Sequence, residues 1–126
     1  MFTTLLVEDN EMFREMLSSL LLARFPSIDI REAGDGADAL DKMQHLQPDI
    51  ILMDIQLPGE NGLEVTRKIR QVHEQIVIVI LTGHDLPEYR QRAFRNGADC
   101  FISKGSDACM QDILARIEGA MTRQRH

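Results

Sequence analysis

The sequence predicts an α/β fold, a single doubly wound parallel sheet of five strands with five helices packed on it. Three observations lead there. Apolar runs of strand length alternate with segments of helical periodicity, the connections between them are short, and residues 50–53, Ile-Ile-Leu-Met, carry no polar interruption, as a strand covered on both faces requires. Right-handed crossovers between parallel strands then leave few topologies. Residues 1–122 read as one domain, and residues 123–126, Arg-Gln-Arg-His, as a basic tail or the start of a linker.

Residues 3–7 form the first strand and are followed at once by Glu8-Asp9-Asn10, a strand ending in acids. From Glu11 the apolar positions Phe13, Met16, Leu17, Leu20 and Leu21 recur at helical spacing, with Asp9 or Asn10 placed to cap and Glu11 favourable in the first turn. Pro26 stops that helix. Ile28 and Ile30 alternate with Asp29 and Arg31, the pattern of a half-exposed edge strand. Asp35-Gly36 turns the chain into a second helix with a modest stripe of Ala39, Leu40, Met43 and Leu46. The third strand delivers Asp54 at its C-terminal end, and Leu57-Pro58-Gly59 then breaks the regular structure.

Asn61-Gly62 opens a third helix through Leu63, Val65, Ile69 and Val72, in which Glu64 and Lys68 form an i,i+4 pair. Residues 76–81 are the most strongly β-branched run and predict a central strand ending at Thr82-Gly83. The helix predicted over 86–96 has little but Leu86, Ala93 and Phe94 to bury, which makes it the weakest and the readiest to move. Gly97 is placed to close it in the left-handed conformation. Residues 98–103 supply a fifth strand ended by Lys104-Gly105. Met110, Ile113, Leu114, Ile117 and Met121 give the last helix the cleanest stripe, with Asp107 near its start.

Composition narrows the function. A net charge of −6 over 126 residues gives this domain no electrostatic reason to hold nucleic acid by itself. Cys100 and Cys109 are too few for a disulfide framework and lack zinc-ligand spacing, so they read as reduced thiols. His45, His73, His84 and His126 are scattered. The N-terminus carries no basic region ahead of its apolar run, unlike a signal peptide, and no apolar run reaches the length of a membrane span. The expectation is a soluble cytoplasmic protein with no membrane partner.

Glu8, Asp9, Asp54, Thr82 and Lys104 each lie at or just past the C-terminal end of a predicted strand, and a parallel sheet gathers those ends on one edge. Carboxylates gathered there repel one another unless a hard cation and a lysine neutralise them, and oxygen-only ligands favour magnesium over zinc. A carboxylate beside a metal, a hydroxyl and an ammonium suits phosphoryl transfer: the carboxylate attacks while the others stabilise charge on the phosphoryl oxygens.

Residues 5–10 (Leu-Leu-Val-Glu-Asp-Asn), 48–62 (Pro-Asp-Ile-Ile-Leu-Met-Asp-Ile-Gln-Leu-Pro-Gly-Glu-Asn-Gly), 80–83 (Ile-Leu-Thr-Gly) and 97–105 (Gly-Ala-Asp-Cys-Phe-Ile-Ser-Lys-Gly) together resemble the receiver domain of bacterial two-component response regulators, over residues 3–121. The resemblance implies a flavodoxin-like sheet of order 2-1-3-4-5. It implies a phosphoacceptor rather than an enzyme, one that assists its own phosphorylation and dephosphorylation, with Asp54 taking a phosphoryl group from a histidine kinase. It implies Mg²⁺ held by Asp9, Asp54 and the backbone carbonyl of Gln56, with Glu8 acting through water. Thr82 would hydrogen-bond a phosphoryl oxygen, Lys104 would pair with the phosphorylated carboxylate, and the Phe101 rotamer would follow Thr82. Gln56 and His84 occupy positions that tune dephosphorylation.

Three residues depart from the family pattern. Gly105 stands where many receivers have proline after a cis bond, Phe101 where tyrosine is frequent, and Gly83 where alanine is commoner. The Lys104-Gly105 pair resembles receivers of the LuxR-type transcription factors, whose helix-turn-helix follows a linker. DNA would then be contacted only through an output domain absent from this chain, and both a fragment of such a regulator and a stand-alone receiver fit the sequence. The exposed face from Leu86 to the last helix is the candidate dimer or partner surface.

Plainer readings weigh against each residue taken singly. Asp54 alone is a strand-end turn former, Glu8 and Asp9 are helix caps, Thr82 is a β-branched strand end, Lys104 is a solvated lysine, Phe101 is core and His84 is an exposed loop. Two rival functions are an interaction module that is not phosphorylated and an aspartyl-phosphate phosphatase. Against the second, Gln56 stands where such enzymes place a general acid, and it cannot protonate a leaving group. A flavin-binding fold of similar topology would need a phosphate loop after the first strand, where Glu8-Asp9 would repel the ligand.

Overall fold

Apolar runs become strands and segments of helical spacing become helices, in strict alternation: β1 (Thr3–Val7), α1 (Glu11–Arg24), β2 (Asp29–Ala33), α2 (Gly36–Met43), β3 (Ile50–Asp54), α3 (Gly62–Val72), β4 (Val77–Thr82), α4 (Pro87–Arg95), β5 (Cys100–Ser103) and α5 (Cys109–Gln124). The computed structural model describes residues 1–124. All strand pairs are parallel, and the order β2-β1-β3-β4-β5 is the one expected.

Side chains alternate across the sheet, so the core has two halves. Leu5, Val7, Ile51, Met53, Ile78 and Ile80 pack with Ala39 and Met43 of α2, Leu63, Val65 and Ile69 of α3 and Ala93 of α4. Leu6, Ile50, Leu52, Val79 and Leu81 pack with Leu17 and Leu21 of α1 and Ile113 and Ile117 of α5. Each buried aliphatic side chain contributes about 1.5–3 kcal/mol, so these two layers supply most of the stabilisation.

With both faces apolar, alternation alone does not fix the strand register. Polar groups at the N-terminal edge do so. The Thr3 N–H donates to Asp49 Oδ2 at 2.7 Å while the Asp49 N–H donates to the Thr3 carbonyl at 2.8 Å. The Ile78 N–H donates to Asp99 Oδ2 at 2.8 Å, tying β4 to the start of β5. At the other edge Val7 then lies opposite Met53, Asp54 opposite Leu81, and Thr82 opposite Ser103.

The helix starts follow their capping residues. Asn10 caps α1 by accepting the Phe13 N–H, Asp35 caps α2, and Asn61 accepts the N–H groups of Leu63 and Glu64 in α3. The α4 helix begins on Leu86 with no side-chain cap and buries only Ala93, which agrees with its expected weakness. Gly97 follows it at φ +108 and Gly59 turns the loop after β3 at φ +77, both in the left-handed region.

Several details differ from the sequence reading. Val72 and Met16 are exposed rather than buried, because each lies at the margin of its helix's apolar stripe. Leu46 lies beyond the end of α2. Glu64 pairs with Arg67 and not with Lys68, whose ammonium reaches back to Glu60 at 2.5 Å. Leu86 and Phe94 are about half exposed. The β4 strand, by contrast, is interior as expected, paired with β3 on one side and β5 on the other. Among the described residues every peptide bond is trans, Lys104–Gly105 included, and both cysteines are free and buried. Helix α5 runs to Gln124, so of the expected tail only 125–126 lie outside the described residues. No helix among the described residues is long and apolar enough to cross a membrane.

Candidate functional site

The C-terminal ends of β1, β3, β4 and β5 converge on an acidic centre. Glu8 follows β1 and is almost wholly buried, Asp9 beside it is exposed, and Asp54 closes β3 in a buried position. Their carboxylate oxygens lie within 4.8 Å of one another. Glu8 is fixed at both ends, since Oε2 accepts the Asn10 N–H at 3.0 Å and its carbonyl accepts an N–H of Arg14 at 2.6 Å. Asp54 Oδ1 accepts the Gln56 N–H at 3.4 Å.

Lys104, just past β5, brings the compensating charge. Its Nζ donates to Glu8 Oε1 at 2.5 Å and stands 3.5 Å from Asp54 Oδ2. Its backbone N–H donates to the Thr82 carbonyl at 2.7 Å, which holds the ends of β4 and β5 in register around the centre. The Asp54 carboxyl is nonetheless pushed up to about 6, first by burial and then by the negative charge of Glu8, with Lys104 pulling the other way. An uncompensated excess of negative charge therefore remains. Three hard oxygen donors with no nitrogen or sulfur ligand suit a divalent cation of the magnesium or calcium kind.

Thr82 is buried at the end of β4, and its hydroxyl accepts the His84 N–H at 2.9 Å and donates to the His84 carbonyl at 3.2 Å. The side chain of His84 is exposed. Phe101 pairs in register with Ile80 and points into the α2–α4 half of the core, the side that Thr82 shares by alternation. The Arg90 guanidinium lies 4.8 Å over its ring. Glu8, Asp9, Asp54 and Lys104 are thus brought together, Thr82 and His84 form a turn beside them, and Phe101 lies deeper.

Two features of the site went unread in the sequence. A side chain at Gly62 would place its Cβ 2.0 Å from the Asp54 carbonyl oxygen, so only glycine lets α3 start directly against the backbone of Asp54. The sequence offered Asn61-Gly62 as a helix start, with nothing to show what Gly62 touches. Phe13 packs against the α1–α5 half of the core, as its place in the apolar stripe implies, and its ring also lies 4.5 Å from Lys104 Nζ. That neighbour is 91 residues away, so no local pattern reveals it.

Comparison with known proteins gives a consistent picture. Residues 4–118 match the family model described as the response regulator receiver domain. The transcriptional activator protein ExaE of Pseudomonas putida is 36% identical over 114 residues, which is 90% of this chain and 53% of that protein. The chain spans about half the length of the curated relatives it matches. A two-component response regulator of the LuxR family from Aurantimonas sp. SI85-9A1 superposes with a TM-score of 0.80 at 35% identity, over 93% of this chain and 85% of that one. A CheY-like receiver domain protein from Methanospirillum hungatei JF-1 reaches 0.88 at 22% identity, over 99% of this chain and 97% of that one, a likeness that speaks to the fold alone.

Proposed function

We propose, from the premise that this chain belongs to the response regulator receiver domain family of two-component systems, that Asp54 is its phosphoacceptor and that Mg²⁺ is held by Asp9, Asp54 and the Gln56 carbonyl, with Glu8 acting through water. The observation that carries this is the buried Asp54 carboxylate, within 4.8 Å of the Glu8 and Asp9 oxygens and 3.5 Å from the Lys104 ammonium. When bound, Mg²⁺ supplies charge neutralisation among the carboxylates and polarises the phosphoryl oxygens.

The chain's own residues do the rest. An ionised Asp54 oxygen attacks the phosphorus of a phosphohistidine, the P–N bond breaks, and its electron pair leaves with the imidazole nitrogen. Lys104 offers N–H donors on the Asp54 side, where charge develops. Thr82 can donate to a phosphoryl oxygen only by giving up its hydrogen bond to the His84 carbonyl, so acceptance of the phosphoryl group and rearrangement of the 82–84 turn are coupled. That turn leads directly into α4, the least anchored helix. Phe101 has no hydroxyl, so any response there is a matter of ring packing. Gln56 and His84 flank the centre as the residues that steer water during dephosphorylation.

The phosphodonor is a sensor histidine kinase and the setting is the cytoplasm. The output is transcriptional, exerted on DNA through a further domain, with the exposed side of α4 toward α5 as the face that contacts a partner or a second copy. The receiver domain proper is residues 1–122. The test is intact mass after incubation with Mg²⁺ and a small phosphodonor. One added phosphoryl group, lost in Asp54→Asn and on chelation, supports the reading. No adduct and no Mg²⁺ binding would leave an interaction module, and rapid turnover of unrelated phosphomonoesters would point to a phosphatase.

A further inference from the structure

We infer that Phe13 is a positioning residue for Lys104: its ring is the seat on which the ammonium is held between Glu8 and Asp54. The inference rests on the role of Asp54 proposed above and adds a residue from α1 to the site. Nζ of Lys104 lies 4.5 Å from the Phe13 centroid, 2.5 Å from Glu8 Oε1 and 3.5 Å from Asp54 Oδ2. A cation over a ring face is attracted by the ring quadrupole, more strongly where water is partly excluded, and the Lys104 side chain is only 20% exposed.

Phe13 is itself held in place by the residues that it serves. The Asn10 N–H donates to Glu8 Oε2 at 3.0 Å, Asn10 Oδ1 accepts the Phe13 N–H at 3.0 Å, the Phe13 ring carries Lys104, and Lys104 returns to Glu8. This closed circuit joins the β1–α1 turn to the end of β5 across the centre. A salt-bridge partner in the place of Phe13 would do the job badly. The ring attracts the charge without adding an oxygen that would compete with an incoming phosphoryl oxygen for the ammonium hydrogens. An aliphatic residue would fill the same space without attracting the charge, leaving the Glu8 ion pair alone to draw the ammonium to its own side, away from Asp54.

The test compares Phe13→Leu, which keeps an apolar side chain at that place on α1, with Phe13→Tyr, which keeps the ring. The first readout needs no phosphorylation. In the wild-type protein the ε-methylene protons of Lys104 resonate upfield of the other lysines under the ring current, and Phe13→Leu moves them to the ordinary lysine position while Phe13→Tyr does not. The second is the rate at which Asp54 gains a phosphoryl group from a small phosphodonor at saturating Mg²⁺, expected to fall roughly three- to tenfold in Phe13→Leu and to remain close to wild type in Phe13→Tyr. Mg²⁺ affinity, read by calorimetry, should differ little among the three proteins.

Unshifted Lys104 protons in the wild type would overturn the inference. So would equal rates in wild type and Phe13→Leu, or an equal loss in Phe13→Tyr, which would make Phe13 a packing residue only. A wild-type protein that takes no phosphoryl group at all would instead sink the reading of Asp54, and the proton shifts would still report on the seat itself.

Discussion

Asp54 is an ionisable group whose burial works against the fold. Its carboxyl stands at about 6 in the folded protein against 3.8 when unperturbed, because burial and Glu8 outweigh Lys104. The folded state therefore binds more protons than the unfolded state between those values, and stability falls as pH rises from about 4 to about 6. That difference corresponds to about 3 kcal/mol at neutral pH. Asp54→Asn should be more stable than wild type in urea denaturation at pH 7 without Mg²⁺, and the advantage should shrink to nothing near pH 4; equal midpoints at pH 7 would mean that the site accommodates the charge. Mg²⁺ should raise the wild-type midpoint more than that of the variant, since the cation relieves a repulsion that the variant lacks. Gly62 is under a different constraint. Its missing side chain is what admits the Asp54 carbonyl, and a Cβ at 2.0 Å from a backbone oxygen forces backbone to move. Gly62→Ala is expected to cost about 3 kcal/mol or more and to displace Asp54, so that both the denaturation midpoint and phosphoryl uptake fall. A variant with normal uptake would show that α3 can shift without disturbing the centre.

Helix α4 differs from α1, α2 and α3 in how it begins. Asn10, Asp35 and Asn61 each satisfy N–H groups at the start of a helix, whereas Leu86 has the extended backbone of a capping residue and no oxygen with which to cap. Leu86→Ser supplies that oxygen at a position about half exposed, where losing the leucine side chain costs little. Amide exchange of residues 88–92 should slow by roughly fivefold, the effect of a cap worth about 1 kcal/mol. Unchanged exchange would place the opening of α4 elsewhere than at its first turn. This weakness was readable in the sequence, because a helix with so few apolar residues has little to anchor it. So were the strands, since apolar runs of strand length bounded by acids, glycine or proline leave little choice of assignment. What the sequence did not reveal depends on the reach of long side chains. Lys68 turns back to Glu60, leaving Glu64 to Arg67, because a flexible ammonium takes whichever carboxylate the loop brings near. Similarly, Lys104 stands 3.5 Å from Asp54 Oδ2, but its nearer partner here is Glu8, and its ring contact comes from α1. Acids at strand ends locate the site; the distances among them follow only from the packed sheet.

Across the whole molecule the two edges of the sheet use carboxylates for opposite purposes. At the N-terminal edge Asp49 accepts the first N–H of β1 and Asp99 the N–H of Ile78 near the start of β4, and both help to set strand register. At the C-terminal edge Glu8, Asp9 and Asp54 crowd together with an excess of negative charge that invites a cation. Asp99 also reaches beyond the sheet. Besides Ile78 it holds Arg70, whose guanidinium also donates to the carbonyls of Gly97, His73 and Glu74, so one cluster clamps the ends of α3 and α4 to the start of β5. Removing the carboxylate in Asp99→Ala leaves the Ile78 N–H and one arm of Arg70 without their acceptor, a loss of about 2–3 kcal/mol. Between that clamp and Thr82, β4 is paired along its length with β3 on one side and β5 on the other, and its buried residues Ile78 to Ile80 are held by that pairing and packing whether or not the clamp is present. Asp99→Ala should therefore melt at a lower temperature yet accept a phosphoryl group at the wild-type rate when assayed well below its melting point. A slower rate under those conditions would mean that strand register at one edge governs carboxylate spacing at the other, relayed through the packed sheet.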